Sequence, residues 1–402
     1  CNILRGHDNV QGSTDMGCLA DTLPGYYGLA EGSWKYFAKQ WKVDYEWLKG
    51  RFKSKELMEA KGNSLSLWMN NVIDEANNKN NAGTPLKALV CIGNGISTVT
   101  QTHKTKEALD KLDLVVFIDP YVNDAAVITT RSDNMFLLPA ASQVETSGTV
   151  VNTSRVAQWR TKVVEPMYES RPDHEILFDF AKRMGFYNEF IAGMGKGDKF
   201  TWPEDATNEV ARALKTIGMQ GRTAERIKKH TENWHLFDST SLKGRGIAEK
   251  EYYGLPWPCW NETHPGSPVL YNINLPVSQG GMGFRTRVGV ERNGVSLLAA
   301  EGSAPVGSRI KGGYDEITAK NIEELAGITL TEDEKKLLEG KNWKNDDSGL
   351  LVKYALAAGL APYGNAKAMT IVPSFTDPIP KHREPLHSFR PDLVAKYPAV
   401  KD

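Results

Sequence analysis

Residues 88–95 read Ala-Leu-Val-Cys-Ile-Gly-Asn-Gly and carry the clearest information about the fold. An unbroken apolar run that ends in a glycine-rich turn is typical of a strand buried on both faces. A second run, Leu-Val-Val-Phe-Ile, fills residues 114–118 and ends at Asp119 and Pro120. Residues 105–112, between the two runs, have the composition of a short helix. A strand, a helix and a strand in this order predict a βαβ unit with a parallel sheet.

The flanking sequence extends this pattern on both sides. Residues 134–139, Asn-Met-Phe-Leu-Leu-Pro, predict a third strand. A helix is expected to open near residue 173 and to end at Gly185. Aromatic residues at helical spacing between positions 34 and 52 predict helices that pack their rings into a core rather than a cofactor site. Residues 57–76 are also predicted to be helical.

The strand ends indicate where a ligand would bind. In parallel sheets, ligands lie beyond the carboxyl ends of the strands, which places Gly93, Asn94 and Asp119 on the binding rim. The G-x-G-x-x-G pattern is absent because position 98 is threonine, so a plain NAD site is not supported. Asp119 could accept a hydrogen bond from a ribose hydroxyl or a guanine edge, or it could cap a turn.

The opening segment is unlike an ordinary core element. It comprises residues 2–17, Asn-Ile-Leu-Arg-Gly-His-Asp-Asn-Val-Gln-Gly-Ser-Thr-Asp-Met-Gly. Arg5 offers a planar fork that can hold a carboxylate by two parallel hydrogen bonds. Gly6 and Gly12 allow backbone to approach a bulky ligand, and Asn9 and Gln11 can both donate and accept. A ligand-binding segment or a polar surface turn would account for this composition.

Composition and charge exclude several functional classes. The chain has 402 residues, with 49 basic and 49 acidic side chains. This balance argues against a nucleic-acid partner, which would require a basic surplus. No apolar run approaches the roughly 20 residues needed to span a bilayer. The four cysteines form no C-x-x-C pair, so no metal or iron–sulphur ligand set is assigned within the chain.

Four segments together resemble one enzyme family. The string Arg-Gly-x-x-Asn-Val-Gln-Gly-x-x-Asp-Met-Gly resembles the segment with the substrate arginine in the large subunit of molybdenum- or tungsten-dependent formate dehydrogenases. Residues 92–95 and 117–121 look like the strand ends that line a guanine dinucleotide in this bis-molybdopterin guanine dinucleotide family. Residues 145–158 resemble its G-T-x-x-N-x-x-R-x-x-Q loop, although Ser154 stands where the family usually has glycine.

The resemblance implies an α/β fold with three parts. Residues 1–25 would be the active-site arginine segment, and residues 26–190 a Rossmann-like parallel-sheet domain that binds molybdopterin guanine dinucleotide. Residues 191–402 would be a loop-rich insertion, similar to that of the longer respiratory enzymes, leading to a C-terminal domain outside the chain. The chain would then be an internal piece of a larger multidomain molybdopterin oxidoreductase.

The resemblance also implies a reaction and its residues. The expected activity is the reversible oxidation of formate to carbon dioxide at a molybdenum or tungsten bis-molybdopterin guanine dinucleotide centre, with Arg5 as the catalytic residue. The residues expected to contact the cofactor or its neighbourhood are Gly6, His7, Asn9, Gln11, Gly12, Gly93, Asn94, Asp119, Glu145 and Gly148. The metal ligand, a cysteine or selenocysteine, and a 4Fe-4S cluster would lie upstream, so the chain alone is expected to be inactive.

Partners, location and rival functions follow from the same resemblance. An iron–sulphur electron-transfer subunit and a membrane cytochrome b subunit are expected, with a periplasmic location; a cytoplasmic one stays open. One rival is an oxidoreductase of the same cofactor family that acts on nitrate or a sulphur oxyanion. Another is a non-catalytic electron-relay subunit, like the large iron–sulphur subunit of respiratory complex I. A cysteine or selenocysteine followed by histidine upstream would favour an enzyme.

Overall fold

The computed structural model describes most of the chain. The described residues are 9–63, 68–73, 86–93, 96, 101–195, 199–268, 279, 291–292, 295–296, 314–364, 384–385 and 388–398. The helices before the sheet are α1 (Val10–Asp15), α2 (Glu31–Gln40), α3 (Tyr45–Lys49), α4 (Lys55–Glu59) and α5 (Asn70–Ile73).

A three-stranded sheet lies at the centre of the first half. Its strands are β1 (Ala88–Ile92), β2 (Leu114–Asp119) and β3 (Met135–Pro139), in the order β1-β2-β3. Helix α6 (Thr102–Lys111) connects β1 to β2, and α7 (Asp124–Ile128) connects β2 to β3. Both strand pairs are parallel, which confirms the predicted βαβ topology.

The remaining elements follow the sheet. A hairpin of β4 (Gly148–Val151) and β5 (Ala157–Arg160) precedes α8 (Asp173–Arg183) and α9 (Tyr187–Ile191). The later elements are α10 (Glu204–Ala213), α11 (Ala224–Glu232), the short pair β6 (Glu291–Arg292) and β7 (Val295–Ser296), α12 (Ile322–Ala326), α13 (Glu332–Leu338), α14 (Leu350–Ala357) and α15 (Pro391–Lys396). Among the described residues, no helix is long and apolar enough to cross a bilayer.

The central strand is buried on both sides, whereas its neighbours are not. Val115 and Phe117 of β2 pack with Leu109 of α6 on one face, and Val116 and Ile118 pack on the other. Successive side chains of a strand point to opposite faces, so covering both faces requires an unbroken apolar run. The expectation that β1 is equally buried is wrong in this structure. Its side chains that point away from the α6 core are exposed, namely Val90 at 47% and Ile92 at 43%.

The long helix predicted over residues 57–76 does not form. Helix α4 ends at Glu59, and residues 60–63 are not helical. The amide of Gly62 instead donates to the carbonyl of Ala20 at 2.9 Å. A Cβ at Gly62 would lie 2.7 Å from the Cβ of Ala20, so a glycine permits this approach. A tertiary contact thus overrides the local helical pattern.

The aromatic stretch supplies a second core. Phe37 of α2 is 1% exposed and packs against Tyr27, Tyr36 and Trp41. The same core includes Leu214 and Trp257 from the later part of the chain. The prediction that these rings fill a core is therefore confirmed for the rings from Trp34 to Trp41, whereas Tyr45 and Trp47 lie outside this core. The domain boundary at residues 190–191 stays a prediction, and side chains from both sides of it share this core.

A half-buried carboxyl on α10 makes stability depend on pH. Burial raises the pKa of Glu209 to about 7, against the opposing charges of Arg212 and Lys42. The unfolded chain ionises this group near pH 4.5. Stability that is present below pH 4.5 is therefore lost as the pH rises through 7. Glu209→Gln should remove this loss and be more stable than wild type at pH 8, by roughly 2 kcal/mol.

The test is the thermal midpoint of unfolding measured at pH 4.5, 6 and 8. The exposed Glu225 on α11 provides a matched control, and Glu225→Gln should follow the wild-type curve. Parallel curves for Glu209→Gln and wild type would refute a buried, late-ionising carboxyl at position 209.

Candidate functional site

Two predicted site segments meet, although 142 residues separate them. Asn9, which precedes α1, donates from Nδ2 to the carbonyl of Val151 in β4 at 3.2 Å. The hydroxyl of Thr153 donates to Oδ1 of Asn9 at 3.5 Å. Asn9 adopts a left-handed backbone with φ of 53°, a conformation that asparagine tolerates better than most residues. We call this contact between α1 and the β4–β5 hairpin the motif junction.

Gly12 sets the distance across the motif junction. A Cβ on Gly12 would lie 2.3 Å from the carbonyl oxygen of Val151 and 2.2 Å from Oδ1 of Asn9. The backbone oxygen cannot give way without moving the hairpin. Gly12→Ala should therefore destabilise the protein by about 1–3 kcal/mol and open the junction.

Chemical denaturation measures this effect directly. Gly28 is a suitable control because a Cβ there would meet no atom within 4 Å, so Gly28→Ala should leave the midpoint nearly unchanged. Equal midpoints for the two variants would contradict the close approach at Gly12.

Asp15, the last residue of α1, ties this helix to the later part of the chain. Its side chain is fully buried and accepts from the Tyr26 hydroxyl and the Trp257 indole, both at 2.7 Å. Gln11 adds a further side-chain hydrogen bond. Burial nevertheless raises the pKa of Asp15. The predicted cofactor residue Gln11 therefore contacts Asp15 within α1.

The loop of the β4–β5 hairpin is held by Arg155, the arginine of the motif in residues 145–158. Nη1 of Arg155 donates to the carbonyls of Trp257 and Ser267, the latter at 2.9 Å. Arg155 has a φ of 68°, whereas Ser154, which replaces the family's usual glycine, is outside the left-handed region. The serine is thus accommodated because the unusual backbone falls one residue later.

The predicted rim residues lie at the strand ends. Gly93 follows β1 with a φ of 58°, and a Cβ there would meet no atom within 4 Å. Asp119 ends β2, and its Oδ1 accepts from the amide of Tyr121 at 3.0 Å. Asp173, the first residue of α8, has a pKa raised by burial and by the neighbouring charge of Asp119. Gly93 thus borders open space, and the carboxyl groups of Asp119 and Asp173 lie close enough for their charges to interact.

Glu145 has a structural set of partners. Its carboxylate accepts from the amides of Ser142 at 2.6 Å and Met167 at 2.9 Å. These hydrogen bonds, the Ser142 amide first, hold the pKa of Glu145 below its usual range. Glu145 therefore joins two backbone segments, at Ser142 and at Met167, by hydrogen bonds. Its role toward a cofactor stays a prediction.

A cavity of about 400 Å³ lies beside the motif junction. Gly148 and Thr149 of β4, Asp173 and His174 of α8, and Thr207 of α10 contribute to its wall. Its other lining residues are Met16, Thr146, Ser147, Val151, Arg160, Leu177, Trp202, Pro203, Ala206, Val210, Ala211, Met219, Arg222 and Ile227. Of the predicted site residues, Gly148 lines it directly.

Four predicted site residues lie outside the described residues: Arg5, Gly6, His7 and Asn94. Their roles stay predictions. Sequence reasoning assigned no role to Asp15, Trp257 or Arg222, which the structure places at or beside the junction. Asp15 belongs to the opening motif and could have been noted there, but the other two lack a local signal. Within the described ranges, no three histidine, cysteine, aspartate or glutamate side chains come together as a metal site.

Comparison with known proteins agrees on one family. The sequence model of the molybdopterin oxidoreductase family matches residues 38–183. The F420-dependent formate dehydrogenase subunit alpha of Methanocaldococcus jannaschii is 29% identical over 282 residues, covering 69% of this chain and 32% of that protein. The formate dehydrogenase subunit alpha of Megalodesulfovibrio gigas is 28% identical over 219 residues, covering 46% and 21%.

A third relative is formate dehydrogenase H of Escherichia coli. It is 29% identical over 186 residues, which cover 46% of this chain and 23% of that protein. The chain thus spans about a third of the length of the Methanocaldococcus relative and less of the other two.

Proposed function

The chain belongs to the molybdopterin oxidoreductases, among relatives named formate dehydrogenase subunit alpha, and on this premise we propose that the intact protein oxidises formate to carbon dioxide. The observation that carries the proposal is the motif junction. The segment that follows Arg5 is held against the β4–β5 hairpin by the amide of Asn9 and the close approach of Gly12. Both segments resemble site segments of formate dehydrogenases, and the fold joins them.

The proposal assigns the rim to one arm of a guanine dinucleotide. Gly93 leaves open space at the end of β1, so backbone there can approach a large ligand. Asp119 uses Oδ1 for the turn to Tyr121, which leaves Oδ2 to accept from a guanine edge or a ribose hydroxyl. We assign Gly93, Asn94 and Asp119 to this arm, with Gly6, His7 and Gln11 nearer the pterin.

In the proposed reaction, Arg5 binds the substrate. Its guanidinium would bind the formate carboxylate through two hydrogen bonds and direct the C–H bond toward the metal. The bound molybdenum or tungsten pterin would supply the two-electron oxidation. A fixed cation beside a small anion, in a site closed to water, stabilises the reacting charge by roughly 3–4 kcal/mol.

The electron path and location are further parts of the proposal. Electrons would leave through a 4Fe-4S cluster upstream of the chain and an iron–sulphur partner subunit, with a membrane cytochrome b as the next carrier. The resemblance of residues 191–402 to the insertion of the longer respiratory enzymes supports a periplasmic location. The similarity to an F420-dependent enzyme supports the alternative of a soluble acceptor in the cytoplasm. The 402-residue chain alone is expected to be inactive.

Formate-dependent reduction of a viologen dye by the intact protein, purified without oxygen, tests the proposed function. Nitrate-dependent oxidation of the reduced dye, measured on the same preparation, tests the main rival. Formate activity without nitrate activity supports the proposal. Nitrate activity alone would replace formate by an oxyanion substrate, and a metal-free, inactive preparation would favour the electron-relay subunit.

A further inference from the structure

Three segments that are far apart in the sequence form a closed ring of hydrogen bonds, which we call the three-segment ring. One side of it is the motif junction, where Nδ2 of Asn9 donates to the carbonyl of Val151. In the second side, the amide of Trp257 donates to the carbonyl of Arg155 at 3.2 Å, and Nη1 of Arg155 donates to the carbonyl of Trp257. In the third, Nε1 of Trp257 donates to Oδ2 of Asp15 at 2.7 Å. Helix α1, the β4–β5 hairpin and the segment around Trp257 are therefore each bonded to the other two.

Helix α1 depends on this ring for its position. It has six residues and no side-chain cap at its start, and so short a helix is not stable without tertiary contacts. The hairpin holds its start through Asn9. Its last residue, Asp15, is fully buried and accepts from Trp257 and from the Tyr26 hydroxyl. Loss of the contact at one end would let the helix tilt about the other.

Trp257 is a rigid part of the ring. Its side chain is 1% exposed and packs in the same core as Phe37 and Leu214. The guanidinium carbon of Arg155 lies 5.4 Å from the centre of the Trp257 ring, a favourable cation–π contact. Backbone, ring face and ring edge of this residue are thus all held. The indole N–H therefore fixes Asp15 relative to the hairpin.

The position of α1 affects the segment that precedes it. Arg5 lies four residues before Asn9, and an extended chain spans at most about 3.5 Å per residue. The Cα atom of Arg5 is therefore within about 14 Å of Asn9. A tilt of α1 displaces the point from which this segment departs.

We propose that Trp257, acting through Asp15, is a positioning residue for the substrate-binding segment that contains Arg5. This inference rests on the proposed role of Arg5 in formate binding, and it adds a residue from the later part of the chain. A weaker ring leaves Arg5 in its binding position in a smaller fraction of the molecules. The apparent affinity for formate falls by that fraction, whereas the complex that does form reacts at its usual rate.

Steady-state kinetics of the intact, metal-loaded protein test the role toward the substrate. Trp257→Phe keeps an aromatic ring in the core and removes only the indole donor. It should raise KM for formate by about 10-fold and leave kcat within about threefold of wild type. Trp234→Phe makes the same substitution at a side chain that is 68% exposed and should keep wild-type kinetics. A loss of general stability, by contrast, would lower the amount of active enzyme and leave KM unchanged.

Hydrogen–deuterium exchange of the same proteins tests the ring without any need for catalysis. The backbone amides of residues 2–9 should exchange about 10-fold faster in Trp257→Phe than in wild type or Trp234→Phe. The amides of β2 lie in the centre of the sheet and should stay protected in every variant, which separates a local change from general unfolding.

The two measurements distinguish this inference from the proposed function. Unchanged exchange of residues 2–9 in Trp257→Phe would overturn the inference, whether or not the protein oxidises formate. Faster exchange with a wild-type KM would overturn the role of Trp257 toward the substrate. A wild-type protein that does not oxidise formate would refute the proposed function, and faster exchange in Trp257→Phe would still support the positioning of the segment by the ring.

Discussion

Arg5→Lys is expected to lower kcat/KM for formate by roughly 100- to 1000-fold. Lysine keeps the positive charge of Arg5 but replaces a planar fork by a single ammonium group. Two parallel hydrogen bonds to a carboxylate would become one, and the direction of the formate C–H bond would no longer be fixed. The loss should therefore appear in kcat as well as in KM.

Steady-state kinetics on metal-loaded, anaerobically purified protein measure this effect. Arg183→Lys makes the same substitution at an exposed position of α8 and should keep wild-type kinetics. Free guanidinium should partly restore the activity of Arg5→Ala, because it can occupy the vacated position. Unchanged kinetics in Arg5→Lys, at wild-type metal content, would remove Arg5 from the mechanism.

Asp15→Ala is expected to lower the free energy of unfolding by about 4 kcal/mol. Asp15 is fully buried, and the Trp257 indole, 1% exposed, loses its acceptor at 2.7 Å in this variant. Arg222 loses its neighbouring negative charge at the same time. Trp257→Phe leaves Asp15 with the Tyr26 hydroxyl and should cost less, about 1–2 kcal/mol.

A double-mutant cycle separates this contact from general damage to the core. If the Asp15–Trp257 hydrogen bond is the main interaction lost, the double variant Asp15→Ala/Trp257→Phe should be destabilised by clearly less than the sum of the single changes. Denaturation curves fitted with a common slope give the three values. Additive losses would show that the two side chains stabilise the protein independently.

The parallel sheet could be predicted from sequence because its signal is local. An unbroken apolar run marks a strand covered on both faces, and β2 is such a strand. The same pattern overestimated the burial of β1. Val90 and Ile92 are exposed because burial of an edge strand depends on which neighbour covers it, and the run itself does not identify that neighbour.

The failure over residues 57–76 has a similar cause. Gly62 is a weak break in a helical pattern, and the pattern alone predicts one helix. Its amide pairs with Ala20, more than forty residues earlier, so the chain leaves the helix for a tertiary contact. Hydrophobic periodicity contains no information about contacts between residues this far apart in the sequence.

The candidate site was predictable only where residues form a recognisable string. Asn9, Gln11 and Gly12 were identified from their order, and the structure places Asn9 and Gly12 at a junction with the hairpin. Arg222 could not be identified in this way. Arg222 is buried and its Nη atoms have no acceptor among the described residues, and neither property is encoded in the residues next to it.

The most direct test of the central claim is the fate of 13C-formate with the intact, metal-loaded protein under anaerobic conditions. Formate oxidation predicts that 13C-labelled carbon dioxide forms, detected as bicarbonate by NMR, with two one-electron dye molecules reduced for each formate consumed. Arg5→Lys should slow both signals together. A metal-loaded protein that leaves 13C-formate intact while it reduces nitrate or a sulphur oxyanion would contradict the account.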